Sequence, residues 1–313
     1  MRQLLTYFHD QFRRDLRPDL YATTALFLAA LITLNYAIDL EDSVIDAWQG
    51  KWQRTFLYFL LYGTAYFGSV WLWTYFQKRP DVWRNRFFWQ HSLFGLTVYS
   101  FGVSFTGYGA WSQQLLGGQI YLYAYRCFGN LQTLLTIALP LGLYYRFVDR
   151  EPTGFYGLKP KRAGMNVYLI LLLLMIPVIT IASFQLDFQA TYPRYKDTGE
   201  AVVLGVPGWA TALFYELCYG WDFVPTELLF RGFLVIGLSR VLGNGAILPM
   251  VVMYATIHFG KPIGETLSSV LGGYMLGVLA LYTRSIWGGL LIHLGVAWGM
   301  EIAAFLQKLL QNG

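Results

Sequence analysis

The sequence predicts an all-α fold, a polytopic transmembrane bundle of about eight spans. Composition is the first observation behind this prediction: 56% of the residues are hydrophobic and only 13% are charged, whereas about 25% are charged in typical soluble domains. The second observation is that several apolar stretches reach the roughly 20 residues that a helix needs to cross a bilayer. We therefore expect the lipid bilayer to be one partner of this chain.

Polar, glycine and proline residues separate the apolar stretches and define the predicted helices. These cover residues 20–40, 55–76, 87–108, 115–147, 167–186, 209–223, 227–241, 246–258, 266–282 and 286–310. Pro225 interrupts the run 209–241. Proline is tolerated in the first turn of a helix, where its missing N–H has no partner anyway. This run is therefore either one kinked helix or two helices, and the second case gives nine spans.

Basic residues are concentrated in a few connecting segments, which predict the orientation. The N-terminal arginines and the segments 77–86 and 149–162 carry this charge, so the positive-inside rule places them and the N-terminus in the cytoplasm. The net charge of +5 is thus an orientation signal, and no nucleic-acid partner is expected. Without a signal-peptide pattern, the chain is expected in a bacterial inner membrane.

Two regions are predicted from where the candidate functional residues lie along the chain. Residues 1–204 form an N-terminal transmembrane region with a basic cytoplasmic lead-in, and residues 205–313 form a region that bears a functional site. Cys127 and Cys218 lie singly in apolar segments and are predicted to be small core residues.

Among the ionisable residues in the apolar sequence of the second region, five are candidates for a functional site: Glu227, Arg231, His258, Glu265 and His293. Placing such groups in lipid is expensive, so they usually face a protected interior and carry function. We therefore expect them to converge on a common, partly hydrated pocket.

Each residue also has a structural interpretation. Glu227 and Arg231 are four residues apart on one helix face. They form either an oriented catalytic pair or a purely structural ion pair that joins helices. His258 and Glu265 flank a turn, where they either meet or leave Glu265 as a first-turn acid favoured by the helix N-terminus. His293 lies within an apolar helix, a position where a hydrogen-bonded core histidine is common.

Two imidazoles and a carboxylate form a ligand set that suits zinc or another divalent metal. The predicted metal ligands are Glu227, His258 and His293, and Glu265 joins them as a fourth catalytic residue. Arg231 supports Glu227. Water activated by such a metal, or by Glu and His as general bases, hydrolyses amide bonds.

Three motifs in order carry a family resemblance: TELLFRGFL with Glu227 and Arg231, YATIHFG with His258, and SIWGGLLIHLGVAW with His293. Together they resemble the CPBP family, the CAAX proteases and bacteriocin-processing enzymes, over about residues 205–305. The resemblance implies an intramembrane glutamate- or metal-dependent protease. It also implies a membrane-associated peptide or protein as substrate.

Two positions depart from the family pattern. Thr226 stands where the family has the first of two adjacent glutamates, its usual catalytic base, and Ala297 stands where a polar residue follows the last histidine. We expect Glu265 to supply the missing carboxylate beside His258. A catalytically silent relative that binds a membrane partner is the alternative, and a transporter that uses these residues as a relay is a third reading.

Overall fold

A computed structural model describes residues 2–116, 118–149, 154–159 and 165–312, and within these ranges it contains helices and no β-strand. The α-helices are α1 (Arg2–Asp15), α2 (Pro18–Ile38), α3 (Trp52–Phe76), α4 (Arg86–Ser104), α5 (Gly107–Leu116), α6 (Tyr121–Leu131), α7 (Leu139–Phe147), α8 (Met165–Ala182), α9 (Leu186–Thr191), α10 (Glu200–Leu204), α11 (Gly208–Glu227), α12 (Ser239–Leu242), α13 (Ile247–Thr256), α14 (Ile263–Thr283) and α15 (Trp287–Asn312). The predicted all-α fold is confirmed.

Six helical stretches of the described residues are long and apolar enough to cross a bilayer. They are Pro18–Ile38, Trp52–Phe76, Gly118–Phe147, Gly208–Thr256, Ile263–Thr283 and Trp287–Leu310, and Tyr168–Ala182 is a shorter apolar helix. The chain is therefore an integral membrane protein. Gly208–Thr256 contains 49 residues, more than twice the roughly 20 that one crossing needs. The number of spans depends on how often this stretch crosses.

Helix α11 continues through Pro225 and is followed directly by the π-helical segment Leu228–Gly237. Proline lacks the N–H that an α-helix would use at this point. The α-helix nevertheless continues to Glu227, and the wider π-helical winding begins at Leu228. Pro225 therefore lies inside a helix, and it does not begin a new one. π-Helical turns are rare and often occur at functional sites.

Contacts divide the chain into two compact units. The first unit comprises Met1–Ser104, Thr136–Lys161 and Glu227–Gly288, and the second comprises Phe105–Leu135, Arg162–Thr226 and Gly289–Gly313. The regions 1–204 and 205–313 were defined by their chemistry, and that boundary stays a prediction. The orientation also stays a prediction, and part of the basic segment 149–162 lies outside the described residues.

Helix α13 and the π-helical segment form the centre of the first unit, because all ten residues of each are buried. Helix α13 packs against α3 and α14. Glycines permit this close approach: a Cβ at Gly245 would lie 2.0 Å from the ring of Trp73, and one at Gly277 would lie 2.7 Å from Met250. In a bilayer, close packing of this kind is a main source of helix association.

Helix α1, which the sequence predicts to be a surface lead-in, packs against α14 in the first unit. Its Asp15 is buried and accepts a hydrogen bond from Nε1 of Trp73 at 3.0 Å. Gln11 accepts one from Asn244 at 2.8 Å. Burial raises the pKa of Asp15, and the hydrogen bond from Trp73 opposes that rise. Polar contacts thus fix α1 to the bundle.

The second unit contains a buried cluster of three tyrosines and two cysteines: Tyr123, Cys127, Tyr195, Tyr215 and Cys218. The two thiols interact with each other, and no disulfide joins them. Both cysteines are buried, as the sequence predicts for small core residues.

We expect Gly232→Ala to destabilise the protein by about 1–3 kcal/mol, the usual cost of overpacking a filled interior. A Cβ at this position would lie 2.7 Å from the backbone oxygen of Tyr156, which cannot move as a side chain can. Thermal unfolding in detergent measures the loss. Gly272→Ala is the control, because nothing lies within 4 Å of its Cβ position. Equal stability of the two variants would contradict the packing of Tyr156 on this helix.

Candidate active site

Glu227 and Arg231 form an ion pair in the interior of the first unit. Glu227 is the last residue of α11, and Arg231 lies in the π-helical segment that follows. Oε1 of Glu227 is 3.0 Å from Nη1 of Arg231, and neither side chain has any exposed surface. The ion pair that the sequence predicts is present. An isolated charge at this depth would be strongly unfavourable, so each group depends on the other.

Tyr254 connects this ion pair with His258. The guanidinium carbon of Arg231 lies 4.0 Å from the centroid of the Tyr254 ring, a cation–π contact. The ring of Tyr254 also meets the imidazole of His258 edge to face, with centroids 4.8 Å apart. Helix α13 thereby brings two of the predicted site elements together. Tyr254 was not singled out from the sequence, although its position four residues before His258 places both on one helical face.

The ring orientation of His258 is set by a hydrogen bond to the preceding helix. Its Nδ1 lies 2.8 Å from the carbonyl oxygen of Tyr254. Because a carbonyl only accepts, Nδ1 carries the proton, and the lone pair of the neutral ring is on Nε2. His258 is 7% exposed. The imidazole is thus held in the tautomer that serves as a base or a metal ligand through Nε2.

The turn that follows His258 is anchored by α2 and α14. The hydroxyl of Thr266 donates to the carbonyl of His258 at 2.6 Å. The Tyr36 hydroxyl donates to the carbonyl of Lys261 at 2.7 Å and lies 2.9 Å from the Thr266 hydroxyl. Asn35 donates to the carbonyl of Phe259 at 3.4 Å. These bonds fix the backbone on both sides of the histidine.

Glu265 lies in the first turn of α14, where it forms an ion pair with Lys261. Its Oε1 is 2.5 Å from Nζ of Lys261, and the two side chains are 19% and 38% exposed. The backbone N–H of Glu265 donates to the carbonyl of Pro262, as expected at a helix start. Glu265 and His258 lie on opposite sides of the turn between α13 and α14. Its action on that histidine stays a prediction.

His293 belongs to the second unit. It lies in α15, and its ring packs against Phe223 of α11 with centroids 4.4 Å apart. The imidazole is half-buried. Because Glu227, His258 and Glu265 belong to the first unit, a pocket shared by all four residues stays a prediction.

The two positions that depart from the family pattern have apolar or backbone-directed roles. The hydroxyl of Thr226 donates to the carbonyl of Asp222, one helical turn earlier, at 3.1 Å. Ala297 is buried, with 5% exposure. Neither side chain supplies a carboxylate or a polar donor to the predicted pocket.

Sequence reasoning missed a carboxylate group on the segment between α2 and α3. Among the described residues, Glu41, Asp42 and Asp46 have carboxylate oxygens within 4.8 Å of one another. The hydroxyl of Tyr58 donates to Glu41 at 2.7 Å and to Asp46 at 2.8 Å, and Arg54 pairs with Asp46 at 2.9 Å. Arg54 compensates the charge of one of the three carboxylates. The sequence shows the acids but does not show that the chain folds them onto one point.

A second buried cluster also escaped the sequence analysis. Asp149 accepts a hydrogen bond from the hydroxyl of Tyr156 at 3.0 Å and pairs with Arg240. The neighbouring His91 has no exposed surface, and its Nε2 lies 3.0 Å from the carbonyl of Phe233. These contacts join the chain just after α7 to α12, and α4 to the π-helical segment. We interpret the cluster as structural support.

We expect Arg231→Met to destabilise the protein by about 3–5 kcal/mol, because it leaves the buried carboxylate of Glu227 uncompensated. The double variant Glu227→Leu with Arg231→Met should be more stable than Arg231→Met alone, since no buried charge remains. Unfolding in detergent measures both. Lys261→Met breaks the partly exposed pair with Glu265 and should cost about 0–1 kcal/mol. A double variant as unstable as the single one would show that the pair has no such coupling.

Comparison with known families comes from one match. Residues 208–299 match the family model described as Type II CAAX prenyl endopeptidase Rce1-like. The matched range includes all five predicted site residues: Glu227, Arg231, His258, Glu265 and His293. No curated protein and no solved structure matches the chain.

Proposed function

We propose that this chain, which carries an Rce1-like domain of the CPBP family at residues 208–299, hydrolyses a peptide bond of a membrane-associated substrate. The family match supports a CAAX-type intramembrane protease as the general class. The residues, the metal and the substrate given below are the finer part of the proposal.

The observation that carries the proposal is the connection from Glu227 through Arg231 and Tyr254 to His258. An ion pair without exposed surface lies against the ring that also orients an imidazole. Replacing a buried ion pair by apolar residues is often neutral or stabilising. A purely structural role would therefore be served equally well by apolar side chains. The retained charges favour chemistry at this point.

Each residue has a proposed role in hydrolysis. Glu227, or Glu265 on the neighbouring turn, accepts the proton of the attacking water, and His258 acts beside it through Nε2. Arg231 keeps Glu227 ionised and oriented. In a route without a bound metal, His293 stabilises the oxyanion that forms when the peptide carbonyl is attacked.

Zinc or another divalent metal is part of the proposal, with Glu227, His258 and His293 as its ligands. His258 fits this role, because the hydrogen bond at Nδ1 assigns the proton to that nitrogen and the lone pair of the neutral ring to Nε2. Glu227 fits as a carboxylate, an oxygen ligand of the kind that zinc binds. A bound metal would lower the pKa of a coordinated water and polarise the peptide carbonyl.

A catalytically silent relative is the second candidate, and Thr226 favours it. The Thr226 hydroxyl is directed to the carbonyl of Asp222, so this position provides nothing that replaces a catalytic carboxylate. Ala297 lacks the polar group expected after the last histidine. In this case the domain binds a membrane partner without cleaving it.

The substrate that we propose to test first is a peptide with a prenylated C-terminus, because the matched family model is described by that activity. Such a peptide reaches the site from within the bilayer, since its lipid chain partitions there. The proposed location is a bacterial inner membrane.

We expect His258→Ala to lower the rate of cleavage by about 100-fold to 10,000-fold, the usual contribution of a general acid–base group. The assay uses purified protein in lipid nanodiscs and a fluorogenic farnesylated peptide. His9→Ala is the matched control, because His9 is exposed on α1. Zinc bound to wild type and lost in His258→Ala would support the metal. A folded wild type without cleavage would favour the silent relative.

We expect Glu265→Gln to lower the rate by a similar factor if Glu265 supplies the carboxylate that Thr226 lacks. Lys261→Met is the control, because it removes the partner of Glu265 but keeps the carboxylate. The rates of both variants are compared at equal folded fraction. Unchanged activity in Glu265→Gln would exclude Glu265 and leave Glu227 as the base.

A further inference from the structure

A pair of glutamates meets at a helix contact in the second unit, apart from the proposed peptidase residues. The carboxyl groups of Glu216 on α11 and Glu301 on α15 lie close enough to interact directly. The helices approach closely here: Nε1 of Trp298 donates to the carbonyl of Glu216 at 3.3 Å. A Cβ at Gly220 would lie 2.6 Å from the Trp298 ring. Both acids lie within apolar membrane-length stretches.

Glu301 has the surroundings of an ionised carboxylate. It is 2% exposed, and its two oxygens accept hydrogen bonds from the backbone N–H of Arg194 at 2.8 and 2.9 Å. The backbone N–H of Tyr195 adds a further bond. Backbone N–H groups donate and cannot accept, so they stabilise the charged form of the acid. Glu301 is therefore the acceptor of the pair.

Glu216 has the opposite surroundings. Both of its carboxyl oxygens are buried, and among the described residues no donor serves either of them. Burying a carboxylate without donors is strongly unfavourable. A proton on Glu216 removes its charge and supplies an O–H that can donate to Glu301. Two carboxylates in contact at low dielectric cannot both stay ionised unless a proton or a cation lies between them.

The surrounding charges favour a proton over a metal cation. The cationic groups near the pair and its neighbouring segment are Arg126, Arg194, Lys196 and Lys308. Tyr195 and Tyr215 are the neighbouring neutral titratable groups. Glu200, on the same segment, is occupied by Tyr195 and Thr198. Positive charge stabilises one ionised carboxylate and repels a further cation.

We propose that Glu216 and Glu301 form a proton-binding site, in which Glu216 donates one shared proton to Glu301. Glu301 also accepts hydrogen bonds from the backbone N–H of Arg194. The shared proton therefore links the segment around Arg194 to both α11 and α15. Loss of that proton places two negative charges in contact and weakens this helix pairing. The site uses no residue of the proposed peptidase and does not depend on that function.

The test is infrared spectroscopy of the full-length protein in phospholipid nanodiscs at neutral pH. A protonated carboxylic acid gives a carbonyl-stretch band above the amide bands, whereas a carboxylate does not. We expect this band in wild type and its complete loss in Glu216→Gln, whose amide still donates to Glu301. Glu200→Gln is the control, since Glu200 is a buried glutamate of the same unit that has donors of its own, and it should keep the band.

Stability provides the second measurement. As the pH rises from mildly acidic to alkaline, the unfolding temperature of wild type should fall because the stabilising proton is lost. Glu216→Gln should lack that fall. If Glu216→Gln does not fold, Glu301→Gln replaces it, and its band should shift because the acceptor is no longer charged.

Three results would overturn the proposal. They are a band that survives unchanged in Glu216→Gln, a band that does not shift in Glu301→Gln, and a wild-type band that disappears on addition of Ca²⁺ or Mg²⁺. The last result would assign the pair as a cation site.

Discussion

An ion pair with no exposed surface is the constraint on which the first unit depends. Glu227 and Arg231 need each other because neither can reach water. The guanidinium also needs the face of Tyr254, since few other groups compensate it. These requirements fix α13 against the π-helical segment, and α13 in turn determines where His258 stands. The position of the imidazole is thus a consequence of burying charge, and the chemistry follows from the packing.

The second unit also buries carboxyl groups, but it stabilises them differently. Of Glu216 and Glu301, among the described residues, only Glu301 accepts hydrogen bonds from backbone N–H groups. A bilayer interior tolerates net charge poorly. The chain therefore compensates the charge of its buried acids in two ways. Glu227 is paired with a cation, and Glu216 carries a proton that it shares with Glu301. Both involve α11, which carries Glu216 and ends at Glu227.

Much of the fold could be predicted from the sequence, because span length and apolar composition are local properties. The pair Glu227–Arg231 was also predictable, since residues four apart share a helix face. The contact between Glu216 and Glu301 was not, because it depends on which faces of two distant helices meet. The winding after Pro225 also escaped prediction, since proline is compatible with both a helix start and a kink. Glu265 shows a third limit: the sequence placed it on the correct turn but gave no weight to Lys261 as its partner.

The docking of α1 has a consequence for the biogenesis of the protein. Gln11 of α1 accepts its hydrogen bond from Asn244, which follows it by 233 residues. During synthesis this helix emerges long before its binding partners exist. Until most of the chain has been inserted, α1 stays at the membrane surface with its polar groups hydrated. Its docking is therefore a late step of assembly and closes the first unit only after the later helices have entered the bilayer.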